Sequence, residues 1–337
     1  MITKNLLVIA VQLRLLVIAL QYVANYLIPD HDAKVFVYPR PLEVQKTLWD
    51  DIVLNVLGGL TQWDGQHFMH IALYGYTYEN SLAFFPLLPY TVQYLAKLLH
   101  LPFLTFESQI LLTFVLFNFV MFLLSACILY KLTESWFGTH RAHIATLLFC
   151  INPATIFFSA AYTECLFAFL TFALIYCSWK MHFDTFLVSA KWLFLSCLLI
   201  ALSTLTRSNG LLNLGFLMYF FVRNLRNSLV HSTQPHLCIK LLKLSCNLVV
   251  LAMSIIICVA PFVFLQFYHH SNFCFDNFVN LPQEVVNHAV TNGYRLTGQY
   301  YNQSWCDFNY IPLPYSYVQE YYWNVGFLRI SSLDMVY

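Results

Sequence analysis

Long apolar segments alternate with polar loops along the whole chain. Seven of the apolar segments predict membrane-spanning helices. They lie near 5–27, 109–130, 142–158, 163–179, 186–204, 211–222 and 244–268. The first segment is longer than the apolar core of a signal peptide, and no small-residue cleavage site follows it, so we expect it to remain as a signal anchor.

An eighth apolar stretch, residues 82–104, is ambiguous. It contains Pro86, Pro89 and Pro102. Prolines at this density disrupt a regular helix, because each lacks an N–H donor and clashes with the preceding turn. They favour a broken or re-entrant helix at the membrane interface over a simple span.

The distribution of charge favours the same interpretation. With a cytosolic amino terminus and no crossing at the ambiguous stretch, Glu134 and Asp184 are the only acids on the cytosolic side, and the other fourteen of the sixteen lie opposite. A crossing there would move the basic loop 223–243 outside, against the tendency of positive charge to stay in the cytosol. The sequence therefore predicts seven spans, with loops 28–108 and 269–337 outside the cytosol.

Composition supports a polytopic membrane protein. The chain is 59% hydrophobic and 10% charged, whereas about a quarter of the residues in a soluble domain are charged. The net charge is only +1, and no basic block is present, so the sequence excludes a nucleic-acid interface. There is no internal repeat and no separate soluble domain. We predict one all-α domain over 1–337, with aromatic-rich luminal helices resting on the membrane surface.

The predicted outer loops carry two signs of the endoplasmic reticulum lumen. A glycosylation sequon begins at Asn302. Cys274 and Cys306 share one of these loops, and a disulfide between them is left open, because the distance between two cysteines cannot be read from sequence. Most other cysteines lie within apolar runs, where core packing is the simpler interpretation.

One acidic residue stands out as a candidate for catalysis. If residues 62–75 form a helix, Asp64 and His67 share a face whose continuation is apolar. A carboxylate beside apolar surface loses solvation and gains basicity, which suits a general base that deprotonates a sugar hydroxyl. The alternative is a solvated acid that caps the start of a helix.

Other polar residues fall at the luminal ends of predicted spans. Arg207 and Asn209 follow the fifth span, where a guanidinium and an amide would suit a phosphate diester. The simpler alternative for Arg207 is a side chain that extends to the lipid headgroups. Tyr162 and Glu164 lie in a short luminal turn, on the same predicted side of the membrane as Asp64.

Two further sets of polar residues are expected to be structural or solvated. Arg14 lies midway along the first span, where an exposed charge costs roughly 2.5–3.5 kcal/mol on insertion, so it should face the bundle and a polar partner. Asp30, His31 and Asp32 close the same span and resemble a set of metal ligands. A solvated loop start explains them more simply, and no metal site is predicted.

These residues belong to a longer ordered set of motifs. The set comprises Trp63-Asp64, His67-Phe68, Ile71-Ala72, Gly75-Tyr76, Glu79, Ala83-Phe84-Phe85-Pro86, Asn152-Pro153-Ala154, Tyr162-Thr163-Glu164, Thr206-Arg207-Ser208-Asn209-Gly210 and Tyr322-Trp323-Asn324-Val325-Gly326-Phe327. In this order the motifs resemble the PIG-V family of glycosylphosphatidylinositol (GPI) mannosyltransferases. The likeness covers nearly the whole chain, from Ile28 through Phe327.

The resemblance implies a fold and an activity. It implies a GT-C-type glycosyltransferase of the endoplasmic reticulum membrane, with its active site in the lumen. Such an enzyme would transfer the second mannose, in α1,6 linkage, from dolichyl-phosphate mannose to the GPI precursor by a single inverting displacement. It would need no cofactor and no metal, and it could have a small membrane subunit as a partner. The chain ends ten residues after Phe327, where the family continues, so we expect further spans to be missing.

The resemblance also assigns roles by motif position. Asp64 becomes the general base, with His67 beside it, and Trp63 offers a flat face for stacking on a sugar. The expected substrate-binding residues are Glu79, Tyr162, Glu164, Arg207 and Asn209. Asp30 is the second candidate for the base, because acids directly after the first span serve that role in related enzymes.

Two other classes of function remain open at the level of sequence. A transporter also has intramembrane charges and broken helices, but internal repeats and polar residues at the membrane midplane would be expected. A non-catalytic subunit of a glycolipid assembly complex would tolerate the loss of Asp64, Glu164 and Arg207. Mannose transfer in microsomes discriminates among the three.

Overall fold

A computed structural model describes residues 4–28, 35–41, 45–181, 186–230, 237–301, 303–307 and 311–326. Over these ranges the fold is all-α, as predicted, and the only extended pairing is an isolated antiparallel bridge between Tyr78 and Leu296. The helices are α1 (Lys4–Leu27), α2 (Leu48–Leu57), α3 (Asp64–Tyr74), α4 (Leu87–Leu99), α5 (Phe106–Phe137), α6 (Thr139–Cys150), α7 (Glu164–Lys180), α8 (Phe186–Thr204), α9 (Leu214–Val230), α10 (Leu237–Phe273), α11 (Gln283–Asn292) and α12 (Pro314–Trp323). Short 3₁₀ turns cover Gly58–Thr61, Glu79–Ala83, Thr155–Phe158 and Ser208–Asn213.

Three helical segments of the described chain are long and apolar enough to cross a membrane. They are Asn5–Leu27, Phe106–Phe137 and Leu244–Phe273, and Ala190–Thr204 is a shorter apolar helix. At 1.5 Å per residue, the 32 residues of α5 extend about 48 Å, well beyond the ~30 Å hydrocarbon core of a bilayer. The crossing of the remaining predicted spans stays a prediction.

Two predicted spans are not continuous helices. The span at 142–158 is interrupted, because α6 ends at Cys150 and Pro153 cannot continue the helix. The span at 211–222 begins inside the 3₁₀ turn Ser208–Asn213, and the helix α9 starts only at Leu214. Both interruptions lie next to residues that form the candidate site described below.

The ambiguous stretch 82–104 forms a short helix. Helix α4 has 13 residues, about 20 Å, and ends where His100 takes a left-handed conformation with φ 35°. It packs against α3 and α5. A helix of this length does not reach across a bilayer by itself. That the stretch 82–104 does not cross stays a prediction.

The intramembrane arginine has the polar partners that its position predicted. Arg14 is 1% exposed. Its guanidinium donates hydrogen bonds to the carbonyls of Thr155 at 2.7 Å and Cys150 at 3.3 Å, and it lies 4.1 Å from the centre of the Phe122 ring. Arg14 therefore joins α1 to the interrupted end of α6, which supports a structural role.

The segment after α10 folds back over the amino-terminal half. Helix α12 packs against the 3₁₀ turn Glu79–Ala83 and against α10. Cys274 and Cys306 form a disulfide, which answers the question left open by the sequence. The sequon residue Asn302 lies outside the described residues. This folded-back segment, residues 274–326, supplies one wall of the candidate site.

Candidate active site

Asp64 is the first residue of helix α3 and lies in a cleft. The cleft has a volume of about 150 Å³. It is formed by residues from five parts of the chain, which are Asp64, Phe68, Ala83, Phe84, Phe85, Tyr162, Thr163, Glu164, Thr206, Arg207, Ser208, Tyr315 and Gln319. The prediction that Asp64, Tyr162, Glu164 and Arg207 lie on one side of the membrane thus corresponds to one shared cleft in the fold.

The charges around Asp64 favour a basic carboxylate. Asp64 is open to solvent at the cleft, yet the surrounding protein removes enough water to raise the pKa of its carboxyl above the ordinary value. The negative charge of Glu164 raises this pKa further, and the positive charge of Arg207 opposes the rise. A carboxylate tuned in this way is a stronger proton acceptor than a fully solvated one.

Hydrogen bonds from a distant segment fix the turn before Asp64. The N–H of Ala161 donates to the carbonyl of Leu60 at 2.9 Å, and the hydroxyl of Tyr162 donates to the carbonyl of Gln62 at 3.0 Å. Gly65 lies against the same segment, since a Cβ at this position would be in ordinary van der Waals contact with the Tyr162 ring at 3.7 Å. Tyr162 therefore both lines the cleft and positions the start of α3.

Glu164 and Arg207 form an ion pair across the cleft. Arg207 Nη1 donates a hydrogen bond to Glu164 Oε1, and the other carboxylate oxygen, Oε2, has no hydrogen-bond partner among the described residues. Their side chains are 38% and 26% exposed, so the pair faces the cleft instead of the core. Glu164 begins α7, and Arg207 lies in the extended link between α8 and the 3₁₀ turn.

Gly210 shapes the link that carries Arg207. A Cβ at Gly210 would lie 2.3 Å from the backbone of Ser203, at the end of α8. The 3₁₀ turn can therefore fold tightly onto α8 only because residue 210 has no side chain. The N–H of Leu87 also donates to the carbonyl of Leu205 at 3.0 Å, which ties the start of α4 to the same link.

His67 lies behind Asp64 and does not line the cleft. Its ring stacks between the rings of Phe36 and Phe84, with both centroids 4.2 Å away. The side chain is nearly buried, and burial lowers its pKa to about 3, so the ring is neutral. In this position His67 supports helix α3 by packing.

Glu79 also lies away from the cleft surface, and its side chain is fully buried. Its carboxylate accepts hydrogen bonds from Arg295 Nη1 at 3.0 Å, Trp305 Nε1 at 3.0 Å and the Tyr322 hydroxyl at 2.9 Å. All three donors belong to the segment that folds back over the site. Glu79 is thus placed to anchor α12, which supplies a wall of the cleft.

Trp63 and Asn209 are not among the residues that line the cleft. Trp63 precedes Asp64 directly, and its indole is 62% exposed. Asn209 is exposed on the 3₁₀ turn beside Arg207. Asp30 lies outside the described residues. No cluster of three or more metal-ligating side chains occurs within the described ranges, as far as His, Cys, Asp and Glu are concerned.

The sequence did not identify the wall formed by α12. Tyr315 and Gln319 line the cleft from this helix. The Tyr315 hydroxyl is 2.8 Å from Ser208 Oγ. The backbone N–H of Tyr315 donates to Gln266 Oε1 at 3.2 Å. The only sequence signal was the spacing of four residues between two polar side chains on a short aromatic helix, which is too common to indicate a site.

Comparison with known proteins identifies the family. The family described as Mannosyltransferase (PIG-V) matches residues 3–336. The chain is 37% identical to GPI mannosyltransferase 2 of Drosophila melanogaster over 97% of its own length and 70% of the relative's length. It is 38% and 36% identical to GPI alpha-1,6-mannosyltransferase 2 of Cricetulus griseus and Homo sapiens, over 99% of this chain and 64% of each relative.

The chain spans about 64–70% of the length of these relatives. No solved structure matches it. The match to the family covers α1 to α12 and includes every segment that forms the cleft. The chain therefore belongs to the PIG-V family of mannosyltransferases, which are membrane-bound glycosyltransferases of GPI-anchor biosynthesis.

Proposed function

We propose that the cleft transfers the second mannose, in α1,6 linkage, from dolichyl-phosphate mannose to the GPI precursor. The observation that carries this proposal is the meeting of Asp64, Glu164 and Arg207 in one cleft, although they are 43 to 143 positions apart in sequence. One acid and one guanidinium are the groups that a sugar transfer from a lipid phosphate needs. The names of the relatives supply the sugar and the linkage.

Asp64 acts as the general base. It accepts the proton from the acceptor's 6-hydroxyl, and that oxygen forms a bond to C1 of the donor mannose. The bond between C1 and the phosphate oxygen breaks, and the electron pair leaves with the dolichyl phosphate. A β-linked donor gives an α-linked product by this single in-line displacement. No second carboxylate nucleophile is required, which is consistent with Glu164 being held by Arg207.

Arg207 stabilises the leaving phosphate. Only one of its five N–H donors is used by Glu164 among the described contacts, so the others can bind phosphate oxygens. The ion pair fixes the plane of the guanidinium before substrate binds, which reduces the conformational entropy lost on binding. The partial exposure of both side chains leaves room for this contact.

The active site faces the lumen of the endoplasmic reticulum. The disulfide between Cys274 and Cys306 belongs to the same folded-back segment as Tyr315 and Gln319, which line the cleft with Asp64. Disulfides persist in oxidising compartments, so this pairing supports a lumenal position for the whole cleft. The acid-rich loops, which the distribution of charge places outside the cytosol, support it as well.

The test is mannose transfer in sealed microsomes from cells that lack the endogenous enzyme. Asp64→Asn keeps the size of the side chain but removes the proton acceptor, so transfer should fall by about 10²-fold or more. Asp51→Asn is the matched control, because Asp51 is an exposed acid in the first turn of α2 and lines no part of the cleft. The mannosylated product should resist an external mannosidase until detergent opens the vesicles.

Equal activity of Asp64→Asn and wild type, at equal protein abundance, would contradict the proposal. In that case Asp64 would be the helix cap that the alternative interpretation described, and Asp30→Asn would be the next variant to measure. Loss of activity in both Asp64→Asn and Asp51→Asn would show a general effect of helix capping on folding. Product that is digested without detergent would place the cleft on the cytosolic side.

A further inference from the structure

Gln319 has a polar side chain in the cleft, and its amide has no hydrogen-bond partner among the described residues. Its backbone carbonyl accepts the N–H groups of Asn324 and of Val325, the latter at 3.1 Å. By contrast, Ser208 pairs with Tyr315, and Glu164 pairs with Arg207. An amide offers both donors and an acceptor, which suits neighbouring sugar hydroxyls.

Helix α12 holds this amide in a fixed place. Tyr315 anchors the first turn of the helix to Ser208, beside Arg207. Tyr322 anchors the last turn to the buried carboxylate of Glu79. Between these anchors Val318 is fully buried, so the helix can neither slide nor rotate without losing packed contacts. A side chain that is held in a fixed position can discriminate between ligands of different shape.

The position of Gln319 along α12 indicates which sugar it contacts. Four residues before it, Tyr315 contacts the link that carries Arg207. Four residues after it, Trp323 lies 5.9 Å from His67, one turn along α3 from Asp64. Four residues of helix rise about 6 Å, so Gln319 lies midway along α12 between its contact with the link that carries Arg207 and its contact with α3.

The transferred sugar must occupy the same middle position. In an in-line displacement, C1 of the donor lies between the acceptor oxygen at the base and the leaving phosphate. With Asp64 as base and Arg207 at the phosphate, the mannosyl group itself lies between the two. This inference rests on the proposed function. Because Gln319 and the mannosyl group lie between the same two ends, we expect them to be in contact.

We propose that Gln319 hydrogen-bonds a hydroxyl of the transferred mannosyl group and so determines specificity for the donor sugar. A neutral amide suits this role, because it discriminates hydroxyl positions without adding charge near the ion pair of Glu164 and Arg207. The enzyme then rejects donors that lack the contacted hydroxyl, since the amide loses a hydrogen-bond partner in the cleft when such a donor is bound.

The test compares donors that are deoxygenated singly at C2, C3, C4 or C6 of the mannose. The measured quantity is the ratio of kcat/KM for the mannosyl donor to kcat/KM for each deoxy donor. For one position, we expect this ratio to fall by about 5- to 100-fold in Gln319→Leu relative to wild type. The other three ratios should change by less than about 3-fold. A purely structural role would lower kcat/KM for all donors together and leave every ratio unchanged.

Two further variants keep the test decisive. Ser316→Ala changes an exposed position of the same helix and should leave all four ratios as in wild type. Gln319→Met has nearly the length of glutamine without the amide, and it replaces Gln319→Leu if the leucine variant does not accumulate. Four unchanged ratios in an active variant overturn the role of Gln319 alone. Absence of mannose transfer by the wild-type chain overturns this role and the proposed function together.

Discussion

The buried carboxylate of Glu79 permits a quantitative test of how the cleft is held together. Glu79 has no exposed surface and accepts hydrogen bonds from Arg295, Trp305 and Tyr322. The motif resemblance predicts a contact with substrate, whereas its position indicates an anchor for α12. The two roles make different predictions for the variants Glu79→Ala and Glu79→Gln.

The expected loss in the free energy of unfolding follows from the three hydrogen-bond donors that contact Glu79. Glu79→Ala leaves all three without an acceptor, and removal of one partner from a buried ion pair costs about 3–5 kcal/mol. Arg295 is 26% exposed, so water can replace part of the lost contact, which favours the lower end of that range. Glu79→Gln keeps one carbonyl oxygen but loses the charge opposite Arg295, so we expect a cost of about 1–3 kcal/mol. Asp51→Asn, at an exposed position, should stay within about 0.5 kcal/mol of wild type.

The assay measures unfolding of the purified protein and mannose transfer side by side. Stability should fall in the order wild type, Glu79→Gln, Glu79→Ala, and activity should fall with it, because a loosened α12 displaces Tyr315 and Gln319 from the cleft. A Glu79→Gln variant with the stability of wild type and a KM for the donor raised by about tenfold or more would refute this reasoning. That result would assign Glu79 to substrate binding, as the motif resemblance predicts.

Two further predictions concern the charges and the backbone of the cleft. A general base works only when ionised, so the rate should fall as the pH falls through the pKa of Asp64. Burial raises that pKa, the charge of Glu164 raises it further, and the charge of Arg207 lowers it. Glu164→Gln should therefore move the acid limb of the pH–kcat/KM profile, which reports the free enzyme, to lower pH, and Arg207→Gln should move it to higher pH. Opposite shifts, or none in either variant, would contradict Asp64 as the base. Gly210→Ala should reduce protein abundance and activity, because its Cβ would lie 2.3 Å from the backbone of α8, whereas Gly58→Ala, with no atom within 4 Å of its Cβ, should match wild type in an expression and transfer assay.

Local sequence patterns predicted the class of the protein and part of the site. Hydropathy alone indicated an all-α membrane protein, and the cost of a charge at a helix centre indicated the polar partners of Arg14. The motif order identified Asp64, Glu164 and Arg207, which the fold brings into one cleft. Each of these inferences depends on a residue and its immediate neighbours, which the sequence displays directly.

Long-range pairings could not be predicted in the same way. Glu79 meets donors 216 to 243 positions away in the chain. Nothing near Glu79 distinguishes an anchor for α12 from a substrate contact. The same holds for Gln319, whose proposed role depends on the contacts at the two ends of α12. It also holds for the disulfide between Cys274 and Cys306. Hydrophobic periodicity reports which side of a helix is buried, but not what covers it.

The turn before Asp64 depends on both the local sequence and a long-range contact. Trp63 has φ 56° and ψ −122°, a conformation that ordinarily only glycine adopts and that costs about 1–3 kcal/mol for other residues. The turn persists because its neighbours overdetermine it. The N–H of Gly65 donates to the carbonyl of Gln62 at 3.1 Å, and the same carbonyl accepts the Tyr162 hydroxyl at 3.0 Å. The direction in which α3 presents Asp64 therefore depends on a residue about a hundred positions away. A local pattern can identify Asp64 as a candidate, but its orientation in the cleft is a property of the whole fold.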